Sequence, residues 1–170
     1  YKKDLNERKI NLDDDYIKFI RYGEHFIEKN GEGVLAYISN NSFLDGITHR
    51  QMRKHLLETF DKIYILNLHG DAKKNEKSPT GEKDENVFDI RQGVSINIFL
   101  KTSKMPGESK VLCHDLYGLR TNKYQTLSGS SLSNLNWKEL NPNKPYYFYS
   151  PFGFNKNGNY QNGFNLSNLF

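Results

Sequence analysis

The sequence predicts a layered α/β fold. Three observations carry this. A stretch with apolar residues at three- and four-residue spacing runs into a short, β-branched apolar segment. The same helix-then-strand pairing recurs downstream, and a third alternating strand-like run follows a long polar loop. The order helix, strand, helix, strand, loop, strand is half of a sheet with helices packed on it, because each element must bury its apolar side against another.

The elements follow in chain order. Residues 1–11 are polar and charged and form a lead-in. Asp13 is positioned to cap a helix whose apolar stripe is Tyr16, Phe19, Ile20, Gly23, Phe26 and Ile27. Asn30-Gly31 ends it, since glycine tolerates the left-handed conformation of a helix stop. Val34-Leu35-Ala36-Tyr37-Ile38 is predicted to be a buried parallel strand, with the polar exit Ser39-Asn40-Asn41-Ser42. A second helix starts near Thr48, buries Met52, Leu56 and Phe60, and turns Arg50, Arg53 and Lys54 elsewhere. Residues 62–68 and 94–101 are strands, the latter with clear alternation.

Between those strands, Gly70 to Asn86 is almost devoid of apolar residues. Its lysines and carboxylates nearly cancel, which predicts a solvated, flexible loop instead of a phosphate clamp. Farther on, residues 110–116 read as a strand. Residues 128–136 read as a loop entering a short helix at Trp137-Lys138-Glu139-Leu140. Residues 145–149 read as extended, and the tail from Phe152 to Phe164 is rich in asparagine and glycine.

Bulk properties bound the function. The 170 residues suit one domain, yet a hydrophobic content of 36% is low for a self-contained globule, and aromatics at 14% supply much of the apolar material. A net charge of +4 fits a nucleic-acid binder without singling one out. The single cysteine, Cys113, excludes an intrachain disulfide, and no Cys/His set has zinc spacing. His25, His49, His55, His69 and His114 share no common spacing, and adjacent Cys113 and His114 face opposite sides of a strand. No apolar run has the length of a membrane span and no signal peptide opens the chain, so a cytoplasmic location is expected. Tyr1 is not a natural initiator, and the sequence reads as a piece of a longer chain.

The most informative block is Gly31-Glu32-Gly33-Val34-Leu35-Ala36-Tyr37-Ile38-Ser39-Asn40-Asn41-Ser42-Phe43-Leu44-Asp45-Gly46. On physical grounds it is a strand with a polar exit whose asparagines and serines can bond the backbone and cap the next element. It also resembles the stretch after the catalytic loop in adenine-N6 DNA methyltransferases of fused, type IIG and type ISP-like, restriction-modification enzymes. Further segments resemble that family in the family's order. They are residues 14–21 (the helix after the catalytic motif), 60–70 (the next strand), 85–96 (a motif that helps hold the flipped base), and then Asp115-Leu116-Tyr117-Gly118 and Trp137-Lys138-Glu139-Leu140.

The resemblance covers most of the chain and implies a partial Rossmann-like methyltransferase fold. This would be the C-terminal half of a mixed sheet, its last strand antiparallel and inserted between its neighbours. It implies residues 1–104 in the catalytic domain and residues 105–170 as an extension toward a target-recognition domain. The complete enzyme would transfer a methyl group from S-adenosylmethionine to adenine N6 in double-stranded DNA, with no metal needed. The resemblance places Phe88 where an aromatic ring stacks on the flipped base, and Asn40, Asn41, Ser42 and Phe43 in a loop on the substrate side. Arg91, Lys73 and Lys74 are candidate DNA contacts. Read without the family, Phe88 is a core plug behind the loop and the three cations are ordinary surface residues.

The sequence departs from the family in what it lacks. Neither the Asn-Pro-Pro-Tyr (or Asp-Pro-Pro-Tyr) motif nor the glycine-rich donor-binding motif is present. Asn141-Pro142-Asn143-Lys144-Pro145-Tyr146 separates its prolines and lies after the last family strand, so it reads as a turn. An inactive fragment is expected, with an upstream half and a downstream recognition domain as partners and an exposed strand edge that another copy or its own tail would cover. The competing reading is a non-catalytic module that binds DNA or protein through Tyr146, Tyr147, Phe148 and Tyr149.

Overall fold

The computed structural model describes residues 1–3, 5, 12–102 and 109–151. The described elements are α1 (Asp15–Asn30), β1 (Gly33–Asn40), α2 (Arg50–Thr59), β2 (Lys62–His69), β3 (Val94–Lys101), β4 (Lys110–Asp115), α3 (Arg120–Gly129) and β5 (Lys138–Leu140). Short 3-10 turns at Asn41–Phe43 and Ile47–His49 join β1 to α2. The five strands form one open sheet in the order β1-β3-β2-β4-β5. The expected strands 34–38, 62–68 and 94–101 therefore share a sheet. β3 runs antiparallel to both β1 and β2 and lies between them. The expected boundary near residue 104 and the tail beyond residue 151 fall outside the described residues.

The face that carries Leu35, Ile63, Ile65, Phe99, Val111 and Cys113 packs with Ile17, Ile20 and Ile27 of α1 and Met52 and Leu56 of α2 into the main core. This face becomes polar toward the carboxyl ends of β1 and β2. There Ser39 and Asn67 both stand opposite Ser95. The other face holds a smaller cluster of Leu66, Leu68, Val87 and Val94, with Leu127 and Trp137 against it.

Several sequence expectations are corrected. The buried stripe of α1 is Ile17, Ile20, Glu24 and Ile27, while Phe19, Tyr22 and Phe26 are exposed. The cap is Asp14, without a side-chain bond, although Gly31 stops the helix as expected with φ 86 and its N–H on the Ile27 carbonyl. β1 is not a buried parallel strand. It pairs only with antiparallel β3 among the described residues, and Val34 and Ile38 are more than 45% exposed, at 61% and 50%. The sheet continues past β2, because β4 pairs in parallel along that strand and β5 antiparallel along β4. Residues 138–140 are thus a strand and not a helix. Residues 145–149 form no strand but a turn leading into irregular chain, and the helix α3 lies where the sequence shows no apolar stripe. Among the described residues no helix is long and apolar enough to cross a membrane.

Arg53, expected to point away from the core, is wholly buried. Its guanidinium donates to the carbonyls of Phe43 and Gly46 at 2.6 and 2.8 Å, and to those of Tyr146 and Tyr147 at 2.6–3.0 Å. The group lies 5.2 Å from the centre of the Phe148 ring. Burial lowers its pKa to about 10, so it stays charged at neutral pH. It joins the turn after β1 to the segment after β5 by satisfying backbone oxygens that neither helix nor sheet reaches. Beside it Tyr149 is fully buried, its N–H on the Leu44 carbonyl and its hydroxyl on the Arg53 carbonyl. Arg53→Leu should lower stability by about 3 kcal/mol in urea unfolding, since four buried or part-buried carbonyls lose their donor. Lys54→Ala, which removes only an exposed helix ion pair to Glu58, should change it by less than about 1 kcal/mol.

Candidate functional site

The carboxyl ends of β1 and β2 and the entry of β3 meet at one end of the sheet, and the polar residues gathered there bond one another. Asn97 donates to the Ser39 hydroxyl at 3.1 Å and accepts from Ser95 at 3.0 Å. Asn41 donates to Asn67 at 2.9 Å, and its backbone N–H reaches the Gly93 carbonyl at 3.0 Å. A Cβ on Gly93 would come within 2.7 Å of the Asn41 amide, so a larger residue there would push that amide from its bond to Asn67. The turn after β1 and the lead into β3 are therefore locked together.

Of the proposed substrate-side loop, Asn41 and Phe43 are buried, and Asn40 and Ser42 are partly open. The Asn40 side chain accepts from the Ser42 N–H at 2.8 Å, which is the capping role its residue type allows. Phe43 belongs to the main core. Phe88 is 42% exposed and so is not a core plug. Its N–H donates to Asn86 Oδ1 at 2.9 Å, and the Asn86 amide donates to the carbonyls of Gly70 and Gln92. Asn86 is a buried organiser that sequence reasoning passed over, although its place just before the aromatic was a usable signal. Arg91, Lys73 and Lys74 are all exposed.

The long loop is solvated as expected, with residues 72–75 and 79–83 exposed, but both of its ends are pinned. Gly70 has φ 77 and a Cβ there would meet the Asn86 Cα at 2.5 Å, so the loop's first and last residues touch. Asp84 accepts from the Gly70 and Gly118 N–H groups at 2.6 and 2.7 Å, and pairs with Lys123 at 2.8 Å, both side chains being fully buried. His69 provides the second pin. Its Nδ1 lies 2.7 Å from Glu76 and its Nε2 2.7 Å from Asp115, and its ring stacks on Tyr117 with centroids 3.8 Å apart. With a carboxylate on each nitrogen, the ring satisfies both by donating twice, as imidazolium. Burial alone would lower the His69 pKa, but the hydrogen bonds to Asp115 and Glu76, with their charges, outweigh it and raise the pKa above 6.5.

The five histidines share no spacing, yet the fold brings a second one to carboxylates. His55 lies 2.8 Å from buried Glu24, and Glu28 completes a group near enough to hold an ion. Those groups are already engaged: Tyr1 donates to Glu24, and Arg21 pairs with Glu28 at 2.8 Å.

No protein-family model and no curated protein matches the chain. Solved structures do. A nuclease-deletion mutant of the Type ISP restriction-modification enzyme LlaGI with a DNA substrate mimic is 26% identical, with a TM-score of 0.73 over 85% of this chain. The ATP-dependent Type ISP restriction-modification enzyme LlaBIII bound to DNA is 30% identical, with 0.69 over 85%. The DrdV–DNA complex is 26% identical, with 0.71 over 82%. This chain is similar to one region of DNA-bound restriction-modification enzymes. It spans only 10–14% of the length of those proteins.

The His69 pin has a defined pH dependence. A pKa raised on folding gives stabilisation that is fully present below about 6.5 and is lost as pH rises through the folded-state value. NMR titration should therefore find His69 protonated at pH values where exposed histidines are neutral. The stability difference between the parent chain and His69→Gln should shrink as pH rises through that titration.

Proposed function

We propose that this chain is part of the catalytic domain of an adenine-specific DNA methyltransferase within a restriction-modification enzyme. The observation that carries the reading is the sheet order. An antiparallel strand inserted between two co-directional strands is the arrangement the family resemblance implies, and here β3 lies so between β1 and β2. Likeness at 26–30% identity to DNA-bound restriction-modification enzymes supports it. In this reading the fold is the C-terminal half of a Rossmann-like methyltransferase sheet. The upstream half covers the outer edge of β1 and the exposed Phe19, Tyr22, Phe26, Val34 and Ile38. Residues 105–170 lead toward the target-recognition domain, with β4 and β5 built onto the same sheet.

The methyl donor of this reading is S-adenosylmethionine. The described residues do not fit it, because the polar groups at this end of the sheet are bonded to one another and no glycine-rich strand end accompanies them. Donor pocket and reactive loop belong to the upstream half, and no step of the transfer is assigned to this chain. Its contribution is to hold the flipped base. A base taken out of the duplex loses its stacking partners, and a partly exposed aromatic ring on a fixed backbone replaces them. Phe88 is such a ring, and in this reading the exposed Arg91, Lys73 and Lys74 meet phosphate.

The competing reading, an aromatic C-terminal contact surface, is weakened because Tyr149 is core and Tyr146, Tyr147 and Phe148 are half-buried around Arg53. The complete enzyme should place a methyl group on adenine N6 of duplex DNA from labelled S-adenosylmethionine, and an absence of N6-methyladenine ends the proposal. Phe88→Ala in that enzyme should weaken binding of DNA carrying 2-aminopurine at the target position by roughly 1–3 kcal/mol. Phe88→Tyr should retain it, and unchanged binding in Phe88→Ala removes the stacking assignment.

A further inference from the structure

The backbone carbonyls of the loop segment that carries Phe88 are bonded by one face of α3. Arg120, Lys123 and Tyr124 are three and four residues apart and therefore lie on one side of the helix. Lys123 Nζ donates to the Glu85 carbonyl at 2.7 Å and to that of Leu68 at 2.6 Å. Arg120 Nε donates to the Asn86 carbonyl at 2.7 Å and Nη2 to the Phe88 carbonyl at 3.0 Å. The Tyr124 hydroxyl donates to the Val87 carbonyl. Four consecutive carbonyls, 85 to 88, thus find donors on α3 while their segment belongs to no helix or strand. The Arg120 guanidinium also pairs with Asp89 at 2.7 Å, and its backbone N–H reaches Glu85 at 3.0 Å.

Backbone oxygens outside regular structure are ordinarily left to water or to scattered partners. A run of four served by three side chains fixes the backbone dihedrals of the whole segment. The Phe88 ring nevertheless stays partly exposed, with Ile90 beside it at 46% exposure. A displayed ring on an immobilised backbone meets its partner at lower entropic cost than a ring on a free loop.

We propose that Arg120 and Tyr124 are positioning residues for the flipped base, acting through the backbone of Phe88, with Lys123 and Asp84 anchoring the same grip from below. This rests on the reading of Phe88 as the stacking residue. Neither side chain need touch DNA. Their effect is to set the height and tilt of the Phe88 ring, so they govern affinity for the extruded base and not for the duplex as a whole.

The test is a double-mutant cycle in the complete enzyme, with DNA carrying 2-aminopurine at the target position as probe and duplex lacking the target site as control. Tyr124→Phe and Arg120→Lys, singly, should lower affinity for the probe by at least about threefold and leave the control unchanged. In methyl transfer they should lower kcat more than they raise KM, because the loss falls after duplex binding. Combined with Phe88→Ala, either change should add nothing further. Full additivity, or an equal loss on the control duplex, shows a merely structural role and overturns the proposal, as does silence of both single variants while Phe88→Ala is impaired. If Phe88→Ala is itself silent, the stacking reading fails and this inference falls with it, so the two failures are distinguishable. Tyr124→Phe removes one hydroxyl only and keeps the ring, so folding of that variant is not at issue.

Discussion

The placement of β3 governs the rest of the structure. Because it runs antiparallel between β1 and β2, its entry lies where both neighbours exit. The lead into β3, from Asn86 to Gly93, must therefore sit beside the turn after β1 and the start of the long loop after β2. That is why Asn41 reaches the Gly93 carbonyl, and why Asn86 bonds to Gly70 across sixteen residues of sequence. A parallel β3 would place its entry at the opposite end of the sheet, and the two segments could not meet.

Closing a loop as long as this one costs conformational entropy, and the chain offsets that with buried, charge-assisted bonds instead of apolar area. Asp84 with Lys123 and His69 with two carboxylates are the two pins. Arg53 does the equivalent work on the other side of the site, where it joins the turn after β1 to residues 146 and 147. In each case the bonded partners are backbone groups or carboxylates that would be expensive to bury alone, so the interior charge brings definite geometry more than surplus stability. The apolar layer is correspondingly uneven, the second face holding only the smaller cluster around Leu66, Leu68, Val87 and Val94. α1 and α2 cover one face of the sheet, and β1, which pairs among the described residues with β3 alone, keeps Val34 and Ile38 exposed.

The parts of the fold legible in the sequence were those whose apolar spacing is local. α1, β1, α2, β2, β3 and β4 fall where periodicity and breakers put them, with the helix stop at Gly31 as the sharpest case. α3 escaped notice because its informative face is polar. Arg120, Lys123 and Tyr124 bond backbone, and a helix read by its apolar stripe shows nothing there. β5 escaped because three residues carry no usable period, and they form a strand only because β4 offers them an open edge. Residue type points Arg53 outward, since an arginine is buried only where carbonyls converge on it, and two of those carbonyls, of Tyr146 and Tyr147, come from more than ninety positions away.

The sequence by itself determined the α/β class, most of the element order and the aromatic at the mouth of β3, because each of these is written in the spacing of neighbouring residues. Only the tertiary structure decided which strand lies between which, which histidines meet carboxylates and which helix bonds the Phe88 segment. These depend on contacts between residues distant along the chain, and side-chain period records which face a residue is on but not what lies against it.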